Sequence, residues 1–152
     1  MSLLIEEVPP SAAPMELLLL ADPSEEKVRA YLPACRCFVA LNEGAVAGVC
    51  VVQQQQAGIH ELMNIAVAPE QQKSGVGTRL LQWVIERYRA AGAQVLEVGT
   101  GSFGYQLTFY QRHGFRVAAI DRDFFVTNYD EPIFEEGIRL RDMLRLRIEY
   151  TR

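Results

Sequence analysis

The sequence predicts a mixed α+β domain, and three observations lead there. Several strand-like stretches come early with short turns between them, and strands then alternate with helices. In the middle, Ile65-Ala66-Val67 runs into Pro69, a polar turn holding Gly75 and Gly77, and an amphipathic helix. At the end, Leu144, Leu146, Ile148 and Tyr150 alternate with Arg145, Arg147 and Glu149, the two-residue period of a half-buried strand.

Taken in order, Leu3 to Val8 reads as a strand stopped by Pro9-Pro10. Met15 to Ala21 reads as a short helix or turn. Asp22-Pro23-Ser24-Glu25-Glu26 starts a second helix, with proline and acids where a first turn favours them, running to about Leu32. Cys37 to Asn42 and Val46 to Gln54 form a hairpin around Glu43-Gly44, and Gln53 to Gln56 is the solvated end of its second strand. Ile59 to Ala68 is the central strand, ended by Pro69, which cannot donate to a ladder. From Gly75 to Ala91, apolar Val76, Leu80, Leu81, Val84, Ile85 and Tyr88 keep helical spacing, and Gly92 is the stop. Gln94 to Gly99 is a strand, Phe103 to Arg112 a helix closed by His113-Gly114, and Phe115 to Ile120 a strand. A long acidic connection leads to the last strand, Leu140 to Tyr150. No internal repeat is visible, and the 152 residues fit a single domain, 1–152.

The polar turn is where chemistry is expected. The first N–H groups of a helix have no partner inside it, and together with the positive end of the dipole they favour an anion. Gly75 and Gly77 carry no side chain to keep a phosphate away from the backbone. Two other phosphate loops are excluded. Lys73-Ser74 lacks the glycines of a Walker loop ahead of it, and Leu80 stands where a dinucleotide-binding loop needs its third glycine.

Gln72-Lys73-Ser74-Gly75-Val76-Gly77 resembles the Gln/Arg-x-x-Gly-x-Gly signature of the GCN5-related N-acetyltransferases (GNAT). The order of elements is similar to that family over nearly the whole chain. The resemblance implies the GNAT fold: a mixed, mostly antiparallel sheet of six to seven strands, helices on both faces, and splayed fourth and fifth strands with the cofactor entering the gap. It implies acetyl-CoA as co-substrate, its pyrophosphate gripped by Gln72, Lys73, Ser74, Gly75, Val76, Gly77 and Thr78. It also implies a β-bulge near Asn64 to Ala66, with backbone N–H groups at Ile65, Ala66 and Val67 as donors to the thioester oxygen.

Acetyl transfer to an amine needs a neutral nucleophile, a donor to the oxygen that gains charge, and a proton for the departing thiolate. Phe109-Tyr110-Gln111-Arg112-His113-Gly114-Phe115 resembles the family segment whose tyrosine serves the CoA sulfur, which makes Tyr110 the candidate acid. A phenol is a neutral donor at pH 7. The other reading of Tyr110 is a core tyrosine beside Phe109 and Leu107. Glu61, upstream on the central strand, is the candidate base; equally it reads as a solvated strand carboxylate. Histidine's ordinary pKa lies near neutrality, and His113 is expected to cap its helix as a cation.

The segment from Asp121 to Glu136 sets acids among Phe124, Phe125, Tyr129 and Phe134. It suits a small cationic amine, or it is a solvated loop pinned by its aromatics. With Arg141-Asp142-Met143 it resembles a bacterial subgroup of acetyltransferases. Many protein N-terminal acetyltransferases carry asparagine seven residues before the tyrosine; here Phe103 stands there, against a ribosomal-protein acetyltransferase. A protein α-amine acetyltransferase and a CoA-binding sensor without turnover stay open as alternatives.

A net charge of -4 argues against a nucleic-acid partner. No apolar run is long enough to span a bilayer and no basic leader precedes one, so a cytoplasmic protein away from the membrane is expected. Cys35, Cys37 and Cys50 form no even framework and read as reduced thiols with no nucleophile setting, so direct attack is expected without an acyl-enzyme. With His60 and His113 they show no ligand pattern, so no metal is expected. The last strand, if exposed at its edge, offers pairing to a second copy and a possible homodimer.

Overall fold

The computed structural model describes residues 2–150; Met1, Thr151 and Arg152 lie outside the described residues. These residues fall into two compact units divided between Ala93 and Gln94.

The first unit carries four antiparallel strands: β1 (Leu3–Val8), β2 (Cys35–Asn42), β3 (Ala45–Gln56) and β4 (Ile59–Val67). Each pairs with the next in sequence; short turns join β2 to β3 and β3 to β4, while a helical connection separates β1 from β2. Between β1 and β2 lie α1 (Met15–Ala21) and α2 (Glu25–Tyr31), and α3 (Val76–Ala90) follows β4. The start of α2 is fixed by Ser24, whose Oγ accepts the Lys27 N–H at 3.2 Å.

Strand alternation sorts this sheet into two faces. Cys35, Cys37 and Val39 of β2, Val49 and Val51 of β3 and Ala66 of β4 pack with Leu17 and Leu18 of α1 and Val28 of α2. The opposite face carries Phe38, which meets Trp83 of α3 at 5.4 Å and Tyr88 at 6.2 Å between ring centroids. Gly48 of β3 lets α3 come close: a Cβ there would stand 3.3 Å from Val76 and from Leu80. The first turn of α3 is thereby seated against the sheet.

In β4 the register slips, Val51 facing Asn64 while Val52 faces Leu62. Met63 is therefore the extra residue of a bulge, just before the expected stretch of Asn64 to Ala66. The slip decides which residues share a face. Glu61 and Asn64 stand three apart and would lie on opposite faces of a regular strand; the bulge puts both on the α1–α2 face.

The second unit is built on three antiparallel strands, with β9 (Met143–Glu149) between β5 (Val95–Gly101) and β6 (Arg116–Asp121). The helix α4 (Tyr105–Arg112) joins β5 to β6. It starts two residues later than the spacing suggests, because Gly104 holds φ 100° and ψ -177°, outside any helical region. The last strand was expected to present an edge; instead both its edges are paired, and β6 is the strand left at the margin.

The acidic connection is more ordered than its composition implies. It holds a short helix α5 (Phe124–Thr127) and a hairpin of β7 (Phe134–Glu135) and β8 (Ile138–Arg139), turned by Glu136 and Gly137 at φ 53° and 76°. The Asp123 N–H donates to Asp142 Oδ1 at 2.8 Å, the Phe125 N–H to the Arg141 carbonyl at 2.9 Å, and Phe125 stacks on Tyr129 at 6.0 Å. Local aromatic and hydrogen-bond contacts thus pin the segment.

Candidate functional site

The turn from β4 to α3 is held from both sides. Gln72 Nε2 donates to the Val67 carbonyl at 3.2 Å, the Ser74 hydroxyl donates to the Gln71 carbonyl, and Asn42 Nδ2 donates to Gln71 Oε1 at 3.1 Å. Gln72 therefore braces the loop against the strand with its side chain. Lys73 at φ 64° and Gly75 at φ 90° both take left-handed backbone, which swings the chain into the helix axis.

The first helical bond of α3 runs from the Arg79 N–H to the Gly75 carbonyl at 3.0 Å, so the N–H groups of Val76, Gly77 and Thr78 precede the ladder. Among the described residues no side chain caps this end, and no acid stands in its first turn. Gln72, Lys73, Ser74, Gly75 and Thr78 are exposed, whereas Val76 is buried and anchors the turn. A Cβ built on Gly75 would meet nothing within 4 Å. The front of α3 is an open cradle of N–H donors with one lysine beside it, fit for a diphosphate.

On β4, the Ala68 N–H donates to the Ala47 carbonyl at 2.8 Å. Alternation then turns the Ala66 N–H toward β3 as well, and the Ile65 and Val67 N–H groups away from it. Of the three expected backbone donors, Ala66 is thus committed to β3. The Ile65 and Val67 N–H groups lie on the other edge of β4.

Glu61 accepts from Gln55 Nε2 at 3.1 Å on the α1–α2 face, in a cross-strand row with Gln53 and Cys35. Sequence reasoning passed over its neighbour on that face, Asn64. That side chain is 4% exposed, and its Nδ2 donates to the Leu18 carbonyl at 2.9 Å and to the Tyr31 hydroxyl at 3.1 Å. One amide thus ties β4, beside its bulge, to α1 and α2. Burial pushes the Tyr31 phenol up to about 12, so it stays a neutral partner. Asn64 Oδ1 is buried and among the described residues has no donor. A polar residue inside Leu62-Met63-Asn64-Ile65-Ala66-Val67 was the available signal. Asn64→Ala is expected to lower stability by about 2 kcal/mol, the cost of stranding two buried groups, measured by urea unfolding.

In the second unit Tyr110 is 4% exposed, its ring 5.5 Å from Phe109 and 5.6 Å from Phe115 between centroids. Its carbonyl accepts the N–H groups of His113 and Phe115, both at 3.1 Å, and Gly114 at φ 100° closes the helix. The turn and the ring contacts fix the phenol's position from both ends. For His113, burial first, then Arg112, lowers the pKa from the ordinary value, which works against the expected cationic cap; its ring is set edge-on to Phe109 at 5.2 Å.

The thiols are buried. Burial pushes Cys35 up to about 12 and Cys37 up to about 11, and raises Cys50 as well. A raised thiol pKa favours the protonated form, which is a poor nucleophile. A disulfide reagent at pH 8 is expected to leave all 3 cysteines of the native protein unmodified within minutes and to titrate them after unfolding; rapid reaction of the folded protein would contradict this. No group of three or more His, Cys, Asp or Glu that could hold a metal occurs among the described residues.

Residues 33–117 match the family model described as an acetyltransferase (GNAT) domain. A Bacillus subtilis relative, the uncharacterized N-acetyltransferase YvbK, is 45% identical over 135 residues, covering 88% of this chain and 87% of the relative. The chain belongs to the GNAT N-acetyltransferases. The family match spans the division between the two units. Among solved structures, the IAA acetyltransferase from Bacillus cereus is similar to this acetyltransferase with a TM-score of 0.92 and 44% identity, covering 97% of this chain and 99% of that one. A GNAT acetyltransferase from Elizabethkingia anophelis with acetyl-CoA bound has a TM-score of 0.91 and 37% identity, covering 97% of each chain. These similarities give this acetyltransferase the GNAT fold. No helix among its described residues is long and apolar enough to cross a membrane.

Proposed function

We propose that this acetyltransferase takes acetyl-CoA as its co-substrate and passes the acetyl group by direct attack to a primary amine, one borne by a small cationic molecule. The observation that carries the reading is the open front of α3, where the N–H groups of Val76, Gly77 and Thr78 precede the ladder beside Lys73 and an unencumbered Gly75. These residues, with Gln72 and Ser74 holding the turn, bind the diphosphate. The Ile65 and Val67 N–H groups donate to the thioester oxygen as it gains charge. Glu61 accepts the amine's proton through water, so that a neutral nitrogen attacks the carbonyl carbon. As the C–N bond forms and the C–S bond breaks, the Tyr110 hydroxyl gives the departing thiolate its proton. On this reading residues 1–152 are a single N-acetyltransferase domain.

The acceptor is read from the acids and aromatics of the 121–136 segment, which favour a cation. The test is thiol release from acetyl-CoA with a panel of diamines, amino acids, an N-terminal peptide and IAA, the last because the Bacillus cereus relative carries that name. Turnover with a cationic small amine well above the others is the expected result. Preference for the peptide would replace the acceptor class, and CoA binding with no turnover on any amine would make the chain a sensor.

A further inference from the structure

Among the described residues β6 pairs with β9 alone and is the last strand in the order of its sheet. Its other edge is open. Arg116, Val117, Ala118, Ala119 and Ile120 are all exposed, Val117 at 48% and Ile120 at 61%. An open apolar edge invites another strand.

We infer that this edge is the contact for a second copy of the chain, β6 against β6, antiparallel about a two-fold axis. The strand reads Arg116-Val117-Ala118-Ala119-Ile120-Asp121. Pairing it with itself about its centre sets Arg116 opposite Asp121 of the partner, Val117 opposite Ile120, and Ala118 opposite Ala119. Opposite charges meet at both ends and apolar side chains meet inside them.

The bulge makes this register possible. In a regular strand Val117 and Ile120 would point to opposite faces, and so would Arg116 and Asp121. Here the register to β9 slips between Val117 and Ala119, making Ala118 the extra residue. After the slip Val117 faces Leu146 and Ile120 faces Leu144, on one side of the sheet; Arg116 faces Arg147 and Asp121 faces Met143, on the other. Each residue then meets its counterpart on a common face. A bulge blunts an edge against a regular strand, but two identical bulges facing each other keep step. Asp121 already holds Arg145 at 3.1 Å, so the partner's Arg116 completes a row of alternating charge. Six residues of edge are less than a standard interface buries, which makes this a weak, concentration-dependent dimer.

Sedimentation equilibrium across micromolar to several hundred micromolar protein tests it. The mass is expected to rise toward twice the 17.1 kDa of one chain, and Ile120→Lys is expected to hold it at one chain with an unchanged circular dichroism spectrum. Arg116→Asp and Asp121→Arg should each be monomeric alone and dimeric when mixed, since the mixed pair restores opposite charges at both ends. A wild-type monomer throughout, an Ile120→Lys dimer, or a mixture that stays monomeric would overturn the inference. If Asp121→Arg fails to fold, Arg116→Asp with Ile120→Lys as its folded control still decides.

Discussion

Gly75→Glu is expected to weaken CoA binding by about 100-fold or more while the protein stays folded. Gly75 stands at φ 90° with open space around its Cβ position. A larger residue therefore meets no steric wall, and left-handed backbone costs it about 1 kcal/mol. What changes is charge: a carboxylate at the front of α3 occupies the donors and repels a diphosphate. Gly75→Asn separates the two effects, because asparagine tolerates this backbone and is neutral. It should bind CoA far better than the glutamate variant. Equal affinities for the two variants, by isothermal titration, would remove the electrostatic part of the argument.

Tyr110→Phe is expected to lower kcat about 100-fold, the low end of what a positioned acid contributes, with little change in CoA affinity. The phenylalanine keeps the ring contacts to Phe109 and Phe115 that hold the end of α4, so lost packing is not the cause of the drop. An unchanged kcat in steady-state assays would return Tyr110 to the core. A drop in kcat joined to an equal loss of CoA affinity would make it a binding group.

Most of the architecture was legible because its signals are local. The strand from Leu3 to Val8 coincides with β1, and the stretch from Met15 to Ala21, read as a short helix or turn, is α1, since prolines bound them both. The turn from Gln72 to Thr78 was legible because glycines, a proline stop and a helix start fall in fixed order. Less legible was what depends on register. A bulge leaves no composition signature, so its place at Met63, and with it the shared face of Glu61 and Asn64, had to come from strand pairing. The last strand shows the same limit. Its alternation identifies it as a strand, yet periodicity says nothing about neighbours, and β9 turned out to be flanked on both sides. In the acidic connection, Glu136 and Gly137 make the hairpin turn, but the strands it joins are two residues each, too short for any period.

The central claim is that the amides opening α3 hold the diphosphate of CoA. Amide nitrogen and proton shifts of ¹⁵N-labelled protein, followed through titrations with CoA and with pantetheine, test it most directly. The account predicts that Val76, Gly77 and Thr78 move strongly with CoA and stay in place with pantetheine, which lacks the diphosphate. Amides of α3 that stay still with CoA, or that move equally with both ligands, would contradict it.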